Sequence, residues 1–184
     1  MGFRRTTGVI ASLIALLGAV AAPCRAGSEP EDELKAAVVL SFLRYTQFAN
    51  PTRAAVPIVA CVAGRPEFAR TLRRTLEGKL VESHPITVAE VKSLGAHSGC
   101  QLLYVATGRR QEIREAMSAM GAARALTVGE SDHFLDLGGA VNLTLVDGRV
   151  TFEADLDALE RAGISISSKL LRFGQIRGRG KARM

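Results

Sequence analysis

Residues 56–78 read "VPIVACVAGRPEFARTLRRTLEG", and the change of pattern at Gly64 decides the fold class. The stretch before it is a short continuous apolar run closed by a glycine, the pattern of a strand covered on both faces. Directly after it, Pro66 stands where a helix starts and Gly78 where one stops. A doubly buried strand that hands over at once to a helix is the beginning of a parallel crossover unit.

The same alternation continues outward. "HPITVAEV" (84–91) alternates as a strand, "CQLLYVAT" (100–107) is a second buried strand, and "RRQEIREAMSAMG" (109–121) is an amphipathic helix. "RALTVGE" (124–130) is another strand, followed by the loop "SDHFLDLGG" (131–139). Upstream, Ser28 and Glu31 have capping-box spacing and open a helix that Asn50-Pro51 should end. Its apolar residues spread beyond one stripe: Leu34, Val38, Phe42, Tyr45 and Phe48 on one face, and Val39, Leu40 and Leu43 on another. Such a helix is deeply buried or covered by a second subunit, so a homodimer is expected. Strand and helix in alternation predict an α/β domain of three layers, with a mostly parallel central sheet flanked by helices.

Downstream, "AVNLTLVDGRVTFEAD" (140–155) adds an antiparallel C-terminal hairpin. Asp147-Gly148 is a two-residue type I′ loop. Counting outward pairs Leu145 with Val150, Leu143 with Phe152 and Val141 with Ala154, so one face is apolar and core-facing. Asp155 caps the helix that follows, Gly163 stops it, and "SKLLRFGQI" (168–176) reads as the last helix.

The chain begins "MGFRRTTGVIASLIALLGAVAAPCRAG": two arginines, an apolar run too short for a comfortable span, then Cys24-Arg25-Ala26 as a small-x-Ala cleavage site. That order predicts a secretory signal peptide over residues 1–26 and an exported protein starting near Gly27. Residues 27–176 then form a single domain, and 177–184 a basic, disordered tail. The formal charge of +6 falls to −1 for residues 27–176 once Arg4, Arg5, Arg25, Arg177, Arg179, Lys181 and Arg183 are set aside. A near-neutral domain with 5% aromatic residues is a poor nucleic-acid binder. In an oxidising compartment the remaining pair, Cys61 and Cys100, reads first as a disulfide and otherwise as two buried thiols.

The most suggestive catalytic pattern is "GISISSKLLRFG" (163–174), three serines around Lys169. A serine three residues before the lysine would share a helical turn with it, but that position is Ile166. Ser167 or Ser168 is a natural N-cap instead. No nucleophile elbow, dinucleotide fingerprint or Walker loop is present. His84, His97 and His133 lack zinc-ligand spacing, so neither metal nor cofactor is expected.

One resemblance covers nearly the whole exported chain. The helix "LKAAVVLSFLRYTQFANP", the strand "IVACVAG", the Gly99-Cys100 before "QLLYVA" and the block "ALTVGESDHFLDLGGAVNLTLVDGRVTFEADLDALERAGISISSKLLRFG" resemble the YfiR family. The last block is the most specific, with F-x-x-x-GG, a hairpin ending F-E, and R-A-G-I-x-I-S-S-K-L-L. The chain departs at Ala154-Asp155, where the family has Ile-Asn, and at Phe48-Ala49-Asn50-Pro51, where it has an aromatic-Trp-Pro motif. The resemblance implies a periplasmic, non-enzymatic protein that binds the periplasmic part of an inner-membrane diguanylate cyclase and restrains it. Cyclic di-GMP and biofilm formation would fall, and an outer-membrane lipoprotein would titrate the regulator away. It also implies a Cys61–Cys100 disulfide. The partner contact would use exposed apolar side chains, with Phe42, Tyr45, Phe48, Leu171 and Phe173 as candidates. Two other readings stay open: a small-molecule sensor using the cleft at the strand carboxyl ends, and a hydrolase built on Ser131, Asp132 and His133.

Overall fold

The computed structural model describes residues 28–48, 56–91, 99–120 and 124–178; the expected signal peptide, Asn50-Pro51 and His97 lie outside them. In chain order the elements are α1 (Ser28–Tyr45), β1 (Thr46–Gln47), β2 (Ile58–Ala63), α2 (Pro66–Leu76), β3 (Leu80–Val81), β4 (His84–Val91), β5 (Leu102–Val105) and α3 (Arg110–Met120). They continue with β6 (Leu126–Gly129), β7 (Val141–Val146), β8 (Arg149–Asp155), α4 (Leu156–Ala162), β9 (Ser165–Ile166), α5 (Ser168–Leu171) and β10 (Gln175–Arg177).

Eight strands form one sheet in the order β10-β8-β7-β6-β5-β2-β4-β3, and β1 pairs with β9 in a separate two-stranded ribbon. The pairs β4–β2, β2–β5, β5–β6 and β6–β7 are parallel. After β2 the chain steps to β4 on one side, then returns to place β5, β6 and β7 on the other. Right-handed crossovers run in opposite directions must lie on opposite faces. Accordingly the buried side chains of α2 join one core cluster with α1, and those of α3 join the other. Alternation along β2 serves both: Ala60 and Val62 belong to the first, Cys61 and Ala63 to the second. This is the expected three-layer α/β arrangement.

The hairpin has the expected register, Leu145↔Val150, Leu143↔Phe152 and Val141↔Ala154, with positive φ at both Asp147 and Gly148. Its inner two pairs are core, whereas Leu145 at the tip is exposed. Asp155 caps α4 by accepting from Ala158 N, and Gly163 ends it in the left-handed conformation.

Two helices are shorter than the sequence suggests. α1 ends at Tyr45, because the Tyr45 carbonyl accepts from Ser167 N at 2.8 Å and Thr46-Gln47 run extended against β9. α5 ends at Leu171, and the chain passes Gly174, where any Cβ would overlap the Phe152 ring. Gln175–Arg177 then pair in parallel with Glu153–Asp155. Arg177, assigned from sequence to a free tail, is therefore part of the sheet, and its guanidinium lies 2.7 Å from Asp136 Oδ1.

Candidate functional site

Two regions carry the unusual side chains. The first lies at the carboxyl ends of the parallel strands, beneath the amino-terminal half of α1. Buried strands leave their first polar residues at their ends, here Arg65 after β2 and Glu130 after β6, with the Tyr104 ring inside β5. Asp32 and Lys35, almost fully buried, come down from α1. Lys35 Nζ donates to Glu130 Oε2 at 2.7 Å and pairs with Glu31 one turn earlier. Arg65 donates to Asp32 Oδ1 at 2.7 Å and lies 3.6 Å from Glu130 Oε1, while the Tyr104 hydroxyl donates to Glu130 Oε2 at 2.9 Å. The Tyr104 ring packs on Phe68 with centroids 4.2 Å apart.

Charges taken from water are tolerated only when paired. Burial pushes the Asp32 carboxyl above its ordinary value, Glu130 adds to the rise, and Arg65 opposes it. For Lys35, burial alone would lower the ammonium, but hydrogen bonds to Glu130 and Glu31 outweigh it and hold it above 10.5. Burial next to Glu130 drives the Tyr104 phenol well above 10. The cluster is a set of close ion pairs and hydrogen bonds around a phenol that stays protonated at neutral pH. It fastens α1 over the strand ends.

On the α3 side of the same strand ends lies an open cavity of about 840 Å³ lined by Gly64, Arg65, Glu90, Thr107, Arg109 and Glu112 among others. It sits at the point where strand order reverses, between β2 and β5, the usual ligand position in such sheets. Gly64 has φ +98°, and a Cβ there would come within 2.8 Å of the Ala106 carbonyl oxygen, so only glycine lets the two strand ends approach. Cys61 in β2 and Cys100 before β5 form a disulfide with Cα atoms 5.8 Å apart, which pins the two strands flanking the reversal. Among the described residues no cluster has the makings of a metal site.

The second region is the corner where the carboxyl end of α1 meets β9 and α5. Here the five apolar candidates separate. Phe42 is fully buried, edge-on to Phe152 at 5.0 Å, and is core rather than surface. Its place on the α1 face turned to β8 makes it so. Phe48 and Leu171 are half-buried and pack against the same core. Tyr45 and Phe173 are 46% and 66% exposed. The Ser167 hydroxyl accepts from Lys169 N, so it caps α5 as the sequence indicated. At the proposed hydrolase triad, the Ser131 hydroxyl accepts from the His133 backbone amide at 3.5 Å, a turn contact.

The ionic cluster escaped sequence reading. Its only local signal was the i,i+4 spacing of Glu31 and Lys35, which cannot reveal that the lysine is buried. Glu130 read as the end of a strand and Arg65 as the start of a helical segment, with nothing to mark either as a partner of α1.

The YfiR/HmsC-like family profile matches residues 32–175. Among solved structures, the crystal structure of a conserved domain protein from Vibrio cholerae O1 biovar El Tor superposes with a TM-score of 0.55 at 10% identity. That superposition covers 80% of this chain and 60% of the other, so the chain spans less than two thirds of that protein. At this identity the likeness is one of fold.

Proposed function

The chain belongs to the YfiR/HmsC-like family, and from that premise we propose that it is a non-enzymatic periplasmic regulator. It binds the periplasmic domain of a membrane-anchored diguanylate cyclase and restrains it, lowering cyclic di-GMP and biofilm formation. The observation that carries this reading is the family match, which spans nearly the whole described fold. A disulfide between β2 and β5 fits an oxidising compartment. Among the described residues no helix is long and apolar enough to cross a membrane.

The docking face is the corner bearing Tyr45 and Phe173. Exposed aromatic side chains are the residue types that dominate interfaces, and these two stand on elements that the β1–β9 ribbon ties together. A homodimer has less call on α1 than its sequence implied. Its second apolar face, Val39, Leu40 and Leu43, is taken up within the chain, so light scattering decides whether two copies associate.

Deleting the gene in its host should raise cyclic di-GMP, and the wild-type gene should restore the low level. A Tyr45→Ser/Phe173→Ser protein, folded and present at normal abundance, should not. Unchanged cyclic di-GMP on deletion, with such a cyclase expressed, rejects the regulatory reading.

The cavity at the strand reversal favours a second role, binding of a small ligand that tunes the restraint. A thermal-shift screen in which Thr107→Val abolishes any stabilisation by a hit would support it.

A further inference from the structure

The sheet is unevenly finished on the β4 side. β4 runs for eight residues, yet β3 covers its outer side only at His84 and Pro85. The register shows which backbone groups lie bare beyond that point. Gln101, next to β5, donates to the Val59 carbonyl, and its side chain accepts from Val59 N, so Val59 points to β5 and Ala60 to β4. Ala60 lies opposite Val88. Thr87 and Ala89 therefore bond to β2, and the amides and carbonyls of Val88 and Glu90 point outward. Among the described residues no strand meets them. One long contact does: the Arg73 guanidinium reaches over from α2 and donates to the Val88 carbonyl at 3.4 Å.

A bare strand edge is a template for another strand, and this one is complementary to itself. A two-fold axis through Ala89 sets Val88 opposite Glu90 of a second copy, Thr87 opposite Val91, and Ala89 opposite Ala89. Val88 and Glu90 then exchange both hydrogen bonds, twice over by symmetry. The pair on the axis is of the non-hydrogen-bonded kind, which brings side chains closest, and alanine is small enough to sit there.

The charges agree. Val88 packs in the cluster that holds α2, and Glu90 shares that face by alternation. Arg73 stands over Val88, so across the axis it meets Glu90 of the second copy, while the two Glu90 side chains stay apart. Both residues are exposed, and among the described residues no ion pair engages either. The neighbouring charges are placed elsewhere. Glu67 pairs with Arg70 and Glu29 with Arg74, while Glu77, Lys79 and Glu82 flank the end that β3 covers. Across the strand-end cavity, which Glu90 also borders, Arg109 pairs with Glu112 and Glu115 accepts from Gln111.

We infer that two copies of the chain associate edge to edge through Thr87–Val91 of β4, with an Arg73–Glu90 ion pair in each direction. This surface is not the α1 face from which the sequence suggested a dimer, and the inference does not rest on the regulatory reading. β4 lies at the far end of the strand order from β8 and β10, so the Tyr45–Phe173 corner stays free on both copies.

Sedimentation equilibrium of the chain from Gly27 onward tests it, and the protein should be a dimer at micromolar concentration. Val88→Pro removes an outward amide that the single chain leaves unpaired, and should give a monomer with unchanged circular dichroism. Arg73→Glu and Glu90→Arg should each weaken self-association by about 10-fold. Mixed together, those two proteins should associate as tightly as wild type, since every 73–90 contact across the axis is then between opposite charges. A pair within one chain gives no such recovery, and mixing decides the matter should Val88→Pro fail to fold. Ala89→Cys should cross-link two copies on mild oxidation, because Cα atoms at such a pair lie about 4.5 Å apart, within disulfide reach. Thr144→Cys, exposed on the hairpin, should not. A wild-type monomer, or variants that stay apart on mixing, overturns the proposal. So does a monomer whose affinity for the cyclase's periplasmic domain falls with Val88→Pro, which would give the edge to a strand of that partner.

Discussion

The two ends of α1 solve opposite problems. Its amino-terminal half buries charge: Asp32 and Lys35 are almost fully covered and are held by Arg65 and Glu130 from the strand ends. Its carboxyl end exposes apolar surface, with Tyr45 turned to solvent beside Phe173. The interior of a protein rejects charge, and its surface rejects large apolar groups unless something covers them. The buried charges have their partners inside the chain. The exposed aromatics stay largely uncovered, even with the Arg172 guanidinium 4.7 Å over the Phe173 ring, which is why the first end reads as a fastening and the second as a docking face.

The largest expected effect tests the fastening. Lys35→Met removes the closest cation from a buried ion pair and leaves Glu130 with the longer Arg65 contact at 3.6 Å, so it should cost about 3 kcal/mol at neutral pH, measured by urea denaturation. Lys35 lies above 10.5 in the folded protein. Its contribution is therefore complete below 10.5 and is lost as pH rises through the folded value, so the gap between wild type and variant should close in strong alkali. Asp32 runs the same way in its own, lower pH window: its carboxyl is raised by burial, so stability is lost as pH rises through its folded value and the cost of ionising it is relieved as pH falls. A Lys35→Met protein as stable as wild type would mean that α1 is held by its apolar face alone.

The disulfide comes next. Cys61 and Cys100 are 39 residues apart, and closing a loop of that size is worth roughly 4 kcal/mol in the chain-entropy model. Cys61→Ser should lose a similar amount without changing which strands pair. Labelling under denaturing, non-reducing conditions should find almost no free thiol at these two positions. Two labelled thiols per chain would remove the bridge from the account.

How much of this was legible in the sequence depended on whether the interaction was local. The hairpin register followed from Asp147-Gly148 because a two-residue loop fixes every pair above it. The Asp155 and Ser167 caps followed because capping is settled within three residues. The strand–helix alternation gave the layers. What could not be read were contacts set by tertiary approach. Tyr45 and Ser167 are distant in sequence, yet their backbone hydrogen bond ends α1 early. Gly174 looked neutral in a helical pattern, yet the Phe152 ring below it cuts α5 short and turns the chain into β10. Lys35 and Glu130 are 95 residues apart, and nothing near either one announces the other. Of the five apolar candidates, Phe42 and Tyr45 are three residues apart on one helix with opposite fates. Helical spacing places them on one stripe but not at one depth.

A smaller effect tests the cap that joins the two segments of the corner. Ser167→Ala removes the hydroxyl that accepts from Lys169 N at 3.3 Å, and should cost about 1 kcal/mol. The bond is long and exposed, so a loss well beyond that would show α5 to be a structural strut rather than a short carrier for Phe173.

The smallest stability effect carries the sharpest contrast. Tyr45→Ser and Phe173→Ser replace exposed side chains, so each should change unfolding free energy by less than about 0.5 kcal/mol, as surface substitutions usually do. Phe42→Ala, three residues before Tyr45, should cost about 3–5 kcal/mol, because the ring is fully buried against Phe152. In affinity for the partner the order should reverse. Each exposed aromatic should be worth ~2 kcal/mol or more as an interface anchor, whereas Phe42→Ala, assayed under conditions where it remains folded, should bind nearly as wild type. Urea denaturation of the three variants, and calorimetric titration of each with the periplasmic domain of the proposed cyclase partner, read the two orders with one set of proteins. If Tyr45→Ser and Phe173→Ser bind as tightly as wild type, the aromatic corner is ordinary exposed surface and the docking face lies elsewhere on the domain.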